Sequence, residues 1–431
     1  MDIDSLIKAS PIVADLMAAK EVFWLNPDYG DSANLPVSQA DIFDAAARFD
    51  RFASYFVAEF PETAPSHGIL ESPLTPIPKM KITLTQLENY SLPGNVYLKE
   101  DNKLPISGSI KSRGGIYEVL KFAEKVAIEA GMLTYLDDYS ILREDRFKEL
   151  FSHYGISVGS TGNLALSIGI VATRLGFKVK VHMSSDAKTW KKDLLRAKGV
   201  KVIEYDGSFT AAITAGRKEA EKDPNMYFID DEGSYDLFLG YSVAAIRLQK
   251  QLKDQNIKVD AHHPLFVYLP AGVGGSPSGV TFGLKEILGP NVHAIFAEPT
   301  HISSVLLGMA TGLNDKISVY DIGLDGKTEA DGLAVGRPSR IAGKLMKTLL
   351  LGIGTFDDER VLAYTAALWD SEKIKVEPSA TAGFAALRQA QGYLSEHYPM
   401  ESANHIIWST GGMLVPDSEY QTIYQLGKKI I

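Results

Sequence analysis

The sequence predicts an α/β protein built on a mostly parallel sheet. From Val96 onward, short runs of β-branched and aromatic residues alternate with amphipathic helical patterns, and each run ends at Gly, Ser, Asp or Pro. One predicted helix, residues 115–127, places apolar side chains at helical spacing and should bury one stripe against a sheet. The predicted strands are residues 177–183, 200–205, 226–230, 265–270, 292–298 and 405–409. Ligands of such folds bind at the carboxyl ends of the strands.

The first hundred residues have a different pattern. Short helical patterns such as residues 42–60 are joined by proline-rich connections such as residues 72–78. We interpret this part as an N-terminal helical segment, and its composition indicates no chemistry of its own.

Composition excludes several classes of function. A formal net charge of -9 provides no basic field for nucleic acid. No apolar run approaches the roughly 20 residues that cross a bilayer, and the N-terminus lacks the order of a signal peptide, so we expect a cytoplasmic protein with no membrane partner. The absence of cysteine excludes disulfides and cysteine-ligated zinc, and the nine histidines show no metal-binding spacing.

A lysine among small residues stands directly before a predicted helix, in LPISGSIKSRGG at residues 104–115. A neutral amine at such a position can attack a carbonyl carbon and form a Schiff base. A solvated lysine at a helix start is a commoner feature, so Lys111 gains meaning only beside other motifs.

The second motif is VGSTGN at residues 158–163, followed by an apolar helix. Backbone N–H groups at a helix start, with the hydroxyls of Ser160 and Thr161, favour an anion such as a carboxylate. Asn163 can donate to a phenolate or carbonyl oxygen. An ordinary Ser/Thr/Asn helix cap is the alternative, and the sequence leaves it open.

Two further motifs follow strands. PAGVGGSPSG at residues 270–279 joins a strand to a helix, so its backbone amides can approach a phosphate closely. It lacks the GK[ST] ending of a nucleotide P-loop and does not match GxGxxG with a ribose-binding acid. WSTGGM at residues 408–413 places a hydroxyl where it can face a ring nitrogen, although a plain turn is the alternative.

Together the four motifs supply a Schiff-base lysine, a carboxylate turn, a phosphate loop and a hydroxyl for a pyridine nitrogen. These are the groups that bind pyridoxal 5'-phosphate and an amino acid. Their occurrence in one chain, in loops that should converge, predicts a pyridoxal-phosphate enzyme.

The strings SIKSRGG, VGSTGN, GVGGSP and STGG are similar to the motifs of fold-type II pyridoxal-phosphate enzymes. Their order and spacing most resemble the bacterial D-serine dehydratases, as do PISGSIKSRGGIYEVL, GFKVKVHMS, WKKDLLR, FIDDE, FLGYSVA, FAEPTH, ADGLAVGR and EPSATAG. The resemblance reaches WLNP at residues 24–27 and FPET at residues 60–63, so it covers nearly the whole chain. The long segment before Lys111 also favours this branch, because L-serine and L-threonine dehydratases carry their lysine nearer the N-terminus.

The resemblance implies a tryptophan synthase β-like fold, with two open, twisted, mostly parallel sheets flanked by helices. It implies three parts. Residues 1–110 form the N-terminal helical segment and the start of a large domain, residues 111–235 a small α/β domain, and residues 236–431 the large cofactor-binding α/β domain.

The resemblance also implies roles for individual residues. Lys111 forms the Schiff base with the cofactor, Asn163 bonds the 3′ oxygen of its ring, and Thr410 faces the pyridine nitrogen. The phosphate-binding residues it implies are Gly272, Val273, Gly274 and Gly275. The sequence departs from the family pattern at Ala271, where cysteine is common, and at Ser276 and Met413, which replace glycines.

On the substrate side, the turn of Ser160, Thr161 and Gly162 is expected to bind the substrate. Lys111, Thr161 and Asp231 are the candidate catalytic acids and bases. For Asp231 a structural cap or turn is an equally good interpretation. Glu298 is expected to help bind a monovalent cation, K⁺ or Na⁺, with a sheet-end carboxylate as the alternative.

The predicted reaction is the elimination of D-serine to pyruvate and ammonia by a monomeric enzyme, with activity toward D-threonine as well. Another fold-type II enzyme is an alternative, such as an L-serine or L-threonine dehydratase, a racemase or a β-replacing synthase. A non-catalytic binding protein that kept the fold is an alternative from a different class.

Overall fold

The computed structural model describes residues 3–30, 34–160, 162–185, 187–206 and 209–431, and the backbone alone for residues 209–212. The helices are α1 (Ile3–Ala9), α2 (Ile12–Met17), α3 (Gln39–Arg51), α4 (Ala53–Glu59), α5 (Pro78–Glu88), α6 (Lys111–Glu129), α7 (Asp145–Ser152), α8 (Asn163–Leu175), α9 (Thr189–Ala197), α10 (Phe209–Ala220), α11 (Tyr235–Ser242), α12 (Ala244–Asp254), α13 (Gly275–Leu288), α14 (Ser304–Thr311), α15 (Ala342–Met346), α16 (Asp358–Glu372), α17 (Ala382–His397) and α18 (Asp417–Lys428). The strands are β1 (Phe23–Leu25), β2 (Leu74–Pro76), β3 (Asn95–Glu100), β4 (Gly155–Gly159), β5 (Lys178–Ser184), β6 (Lys201–Tyr205), β7 (Met226–Ile229), β8 (Leu265–Pro270), β9 (Val292–Pro299), β10 (Leu350–Phe356) and β11 (Asn404–Ser409).

The chain divides into two compact units. The first comprises Met1–Ser38, Ser72–Lys103 and Ala244–Ile431, and the second comprises Gln39–Glu71 and Leu104–Val243. Part of the N-terminal helical segment, residues 39–71, therefore groups with Leu104–Val243. The domain boundaries expected at residues 110 and 235 stay a prediction.

The first unit is built on a seven-stranded sheet in the order β1-β10-β9-β8-β11-β3-β2. The five central strands run parallel, and the two short edge strands run antiparallel to their neighbours. Every residue of β8, β9, β10 and β11 is buried, as expected for parallel strands covered on both faces. The strands predicted at residues 265–270, 292–298 and 405–409 are confirmed.

The second unit contains a four-stranded, all-parallel sheet in the order β6-β5-β4-β7. Helix α6 buries the apolar stripe predicted for residues 115–127 and extends it at both ends, since it runs from Lys111 to Glu129. The predicted lysine is thus the first residue of the helix. None of the described helices has the length and apolar character needed to span a bilayer.

A buried ionic cluster joins α3 to α6 inside the second unit. Arg48 and Arg51 donate to opposite carboxylate oxygens of Glu124, at 2.6 and 2.7 Å. The Tyr139 hydroxyl also donates to this carboxylate, at 2.8 Å. Burial alone would raise the pKa of Glu124, but the hydrogen bonds from Arg51, Arg48 and Tyr139 outweigh it and lower that pKa.

We predict that Glu124→Gln destabilises the protein by about 3–5 kcal/mol, because it removes the buried carboxylate that compensates the charge of the buried Arg48 guanidinium. Asp44→Asn is the matched control, since Asp44 also pairs with Arg48 but its side chain is 62% exposed. That change should cost less than about 1 kcal/mol. Urea denaturation followed by circular dichroism measures both values, and equal effects would contradict the prediction.

Candidate active site

A strained turn presents Lys111 at the start of α6. Ile106 adopts a positive φ of 77°, which is uncommon for a β-branched residue, and Gly108 follows at 58°. The backbone N–H of Lys111 donates to the Ser109 hydroxyl at 3.0 Å. The lysine is half-buried. The turn is therefore fixed by local contacts, and the amine is neither fully exposed nor sealed in the core.

Three buried serines connect the lysine turn to α8. The Ser107 hydroxyl hydrogen-bonds the hydroxyls of Ser112, at 2.6 Å, and Ser167, at 2.8 Å. Helices α6 and α8 also approach closely, since a Cβ at Gly115 would lie 2.9 Å from Leu164 Cδ1. These contacts lie in the first turns of both helices, so the lysine motif and the VGSTGN motif are brought together.

The turn before α8 is partly a helix cap. The Ser160 hydroxyl accepts from the N–H of Gly162 at 3.2 Å and of Ala165 at 3.3 Å. The capping alternative therefore holds for this oxygen, while its O–H remains a donor. Thr161, a predicted catalytic and substrate-binding residue, lies outside the described residues. Asn163 is the first residue of α8.

A buried lysine that the sequence analysis did not select lies against this turn. Lys191 is 2% exposed, and a Cβ at Gly162 would lie 2.8 Å from its Nζ. An ammonium at this place adds positive charge beside a turn that is expected to bind a carboxylate. Lys191 belongs to the string WKKDLLR, whose spacing alone does not distinguish a buried lysine from a solvent-facing one.

Strand register places Asp231 near the same turn. Val158 of β4 pairs with Ile229 of β7, so Asp231 and Ser160 follow neighbouring parallel strands at the same level. Asp231 Oδ1 is buried and has no hydrogen-bond partner among the described residues. The adjacent acids Asp230 and Glu232 pair instead with Arg217, at 3.0 and 3.1 Å. Asp231 is thus the acid of FIDDE that is left for another partner.

The glycine loop of the first unit is closely packed and leads directly into a helix. Strand β8 ends at Pro270 and α13 begins at Gly275, with Gly274 at a φ of 95°. A Cβ at Gly274 would lie 3.0 Å from Ala342 Cβ, and one at Gly272 would lie 3.1 Å from Leu333 Cα. The glycines are thus required by packing against the chain itself, and the N–H groups at the start of α13 are the feature that fits a phosphate group.

Thr410 lies beside this loop within the first unit. Strand β11 pairs in parallel with β8, with Ile407 opposite Tyr268, so Thr410 follows β11 at the level where Ala271 follows β8. Neighbouring strands are about 4.8 Å apart. Thr410 is buried. The predicted phosphate loop and the predicted ring-nitrogen hydroxyl thus share one edge of the sheet.

Glu298 is fully buried near the end of β9 and is engaged by backbone. Its two oxygens accept from the N–H groups of Val305 and Leu306, each at 2.8 Å, at the start of α14. Burial raises the pKa of Glu298 to about 8, although these backbone hydrogen bonds oppose the shift. No group of three His, Cys, Asp or Glu residues that could hold a metal ion occurs in the part of the chain that the structure describes. The cation role of Glu298 stays a prediction.

We predict that Gly274→Ala weakens the binding of pyridoxal phosphate, because the new Cβ crowds Ala342 and forces an alanine into the left-handed region, at about 1–2 kcal/mol. Gly312→Ala is the control. Gly312 has a φ of 70° but nothing within 4 Å of its Cβ position, so it carries the strain without altering the loop. Cofactor titration followed by visible absorbance should show weaker binding in the first variant alone, and equal binding would contradict the fit.

Comparisons with known proteins agree with this geometry. A family model described as pyridoxal-phosphate dependent enzyme matches residues 66–400. A probable D-serine dehydratase of Pediococcus pentosaceus is 64% identical, with 100% of each chain covered. A probable D-serine dehydratase of Lactiplantibacillus plantarum is 56% identical, covering 100% of this chain and 99% of the relative.

Solved structures share the fold at low sequence identity. Diaminopropionate ammonia lyase from Escherichia coli in complex with D-serine has a TM-score of 0.73 and 17% identity, covering 95% of this chain and 98% of that chain. Maize serine racemase has a TM-score of 0.65 and 19% identity, covering 92% and 99%. The fold-type II class expected from the sequence is confirmed, and the chain belongs to the family of pyridoxal-phosphate-dependent enzymes, with probable D-serine dehydratases as full-length relatives.

Proposed function

We propose that this chain is a D-serine dehydratase that converts D-serine to pyruvate and ammonia with pyridoxal phosphate held by Lys111. The observation that carries the proposal is the joining of the lysine turn to the turn before α8, in a chain 64% identical to a probable D-serine dehydratase. A solved relative of the same fold, diaminopropionate ammonia lyase, has been crystallised in complex with D-serine.

In this proposal the predicted motif residues bind the cofactor. Lys111 would attach the cofactor through its aldehyde carbon, Asn163 would hydrogen-bond the 3′ oxygen of the ring, and residues 272–275 would bind the phosphate. When bound, the cofactor supplies a conjugated ring that spreads the negative charge left at the substrate Cα. Thr410 offers a neutral hydroxyl to the ring nitrogen. A hydroxyl does not favour protonation of that nitrogen, whereas a carboxylate would. This suits elimination better than transamination.

The substrate groups are assigned to the second unit. The turn of Ser160, Thr161 and Gly162 binds the α-carboxylate, with the Ser160 O–H and the nearby Lys191 ammonium as complementary partners. The Lys111 amine and Asp231 move the protons, one at Cα and one at the departing β-hydroxyl. The lack of a hydrogen-bond partner for Asp231 Oδ1 among the described residues supports this assignment. The substrate-binding and catalytic roles of Thr161 are assigned from the sequence alone.

Three finer features belong to the same proposal. The enzyme also accepts D-threonine, whose extra methyl group leaves the reacting atoms unchanged. It works as a monomer in the cytoplasm. Glu298 helps to bind K⁺ or Na⁺ together with backbone carbonyls.

We predict that the pure protein releases pyruvate from D-serine much faster than from L-serine. Lys111→Ala should abolish this activity together with the visible absorbance of lysine-bound cofactor. Lys125→Ala is the control, because Lys125 lies on the same helix with a side chain that is 66% exposed, and it should keep both properties. A preference for L-serine would favour another fold-type II enzyme, and a protein that stays colourless with added cofactor would favour a binding protein.

A further prediction concerns the cation role of Glu298. We expect the D-serine activity to be higher in potassium than in tetramethylammonium buffer, and Glu298→Gln to reduce this ratio toward one. Asp357→Asn is the control, since Asp357 caps α16 through its side chain and asparagine is an equally good cap, so it should keep both the stability and the ratio. If Glu298→Gln keeps the wild-type ratio, Glu298 serves only as the cap of α14.

A further inference from the structure

Tyr241 of α11 lies directly beside the Lys111 amine. It is fully buried, and the Lys111 Nζ lies 5.6 Å from the centroid of its ring. An amine near the face of an aromatic ring is attracted by the negative face of the ring. The long lysine side chain therefore has a surface on which its end can rest.

Glycines on both helices make this contact possible. A Cβ at Gly114 of α6 would lie 2.5 Å from two ring atoms of Tyr241. A Cβ at Gly240 of α11 would lie 2.7 Å from the carbonyl oxygen of Arg113. Because either side chain would separate the helices, the sequence keeps this place free for the ring of Tyr241 next to Lys111.

The Tyr241 hydroxyl is buried and has no hydrogen-bond partner among the described residues. Burial first, and then the charges of Asp231 and Glu118, raises its pKa well above the usual value for tyrosine. The hydroxyl therefore stays protonated and is a donor. Asp231 Oδ1 also has no hydrogen-bond partner in the part of the chain that the structure describes, so the two groups do not bond each other and each is left for a third partner.

We propose that Tyr241 is a positioning residue for Lys111 and that its hydroxyl donates a hydrogen bond to an oxygen atom of the molecule bound there. A phenylalanine would fill the same space without burying an unpaired hydroxyl, and it is the position beside Lys111 that distinguishes this hydroxyl from that of other buried tyrosines such as Tyr55. The acceptor is an oxygen of the cofactor or of the amino-acid substrate. The second source rests on the proposed function, and the first does not.

Tyr241→Phe tests the hydroxyl, with Tyr55→Phe as the matched control. Tyr55 is also fully buried in the second unit with an unpaired hydroxyl, but it packs against phenylalanines rather than against Lys111. Tyr241→Phe should weaken binding about tenfold. A higher dissociation constant for pyridoxal phosphate, measured by absorbance titration, identifies a cofactor oxygen. A higher KM for D-serine at saturating cofactor identifies a substrate oxygen. The proposal is overturned if both constants stay at the wild-type values, as they should in Tyr55→Phe.

Tyr241→Leu tests the ring. Capture of pyridoxal phosphate by Lys111, quantified by borohydride reduction and peptide mass spectrometry, should be about fivefold slower than in Tyr241→Phe, which keeps the aromatic face. Capture at the same rate would exclude the positioning role. Circular dichroism identifies a Leu variant that does not fold, in which case the Phe titration decides. Neither cofactor measurement uses D-serine, so a wild-type protein inactive on D-serine would refute the proposed function and leave this inference to its own test.

Discussion

The contact between the first turns of α6 and α8 is the constraint on which the site in the second unit depends. Gly115 allows the two helices to approach, and the Ser107 hydroxyl fixes their relative position through Ser112 and Ser167. Both helices start at a residue with a predicted role, Lys111 and Asn163. A shift of one helix by a single turn, about 5.4 Å, would separate the amine from the turn that is expected to bind the substrate.

Parallel strand register brings predicted site residues together at one edge of each sheet. The loops after β8 and β11 lie at one edge of the first sheet, and the loops after β4 and β7 lie at one edge of the second. A parallel sheet places the carboxyl ends of all its strands on one side. Strand register alone therefore brings loop residues that are far apart in sequence close together. This is why loop residues with separate local explanations form groups with a shared chemistry.

The sequence predicted the parts of the fold that depend on local patterns. The sequence predicts strands at residues 177–183, an alternating run, and 265–270, a continuous apolar run, and the structure has β5 at Lys178–Ser184 and β8 at Leu265–Pro270. Strand β10 is not predicted, because LLGIGTF carries two glycines and lacks a sharp boundary. The capping role of Ser160 was kept as an alternative, but the engagement of Glu298 by α14 depends on the packing of separate segments, which no local pattern reports.

Polar residues inside α6 show the same limit and explain how Tyr241 is held. Glu118 lies among the apolar residues of α6 and is fully buried, which raises its pKa to about 8 although Ser234 and Tyr227 donate to it. The same Ser234 hydroxyl accepts from the N–H of Leu237 and caps α11. Helix α6 therefore fixes the start of α11 through Glu118. Helix α11 in turn places the ring of Tyr241 beside Lys111, at the start of α6. A helical pattern built on apolar spacing alone counts Glu118 as a solvent-facing residue. The two contacts between α6 and α11 can therefore be recognised only when burial and hydrogen bonds are known.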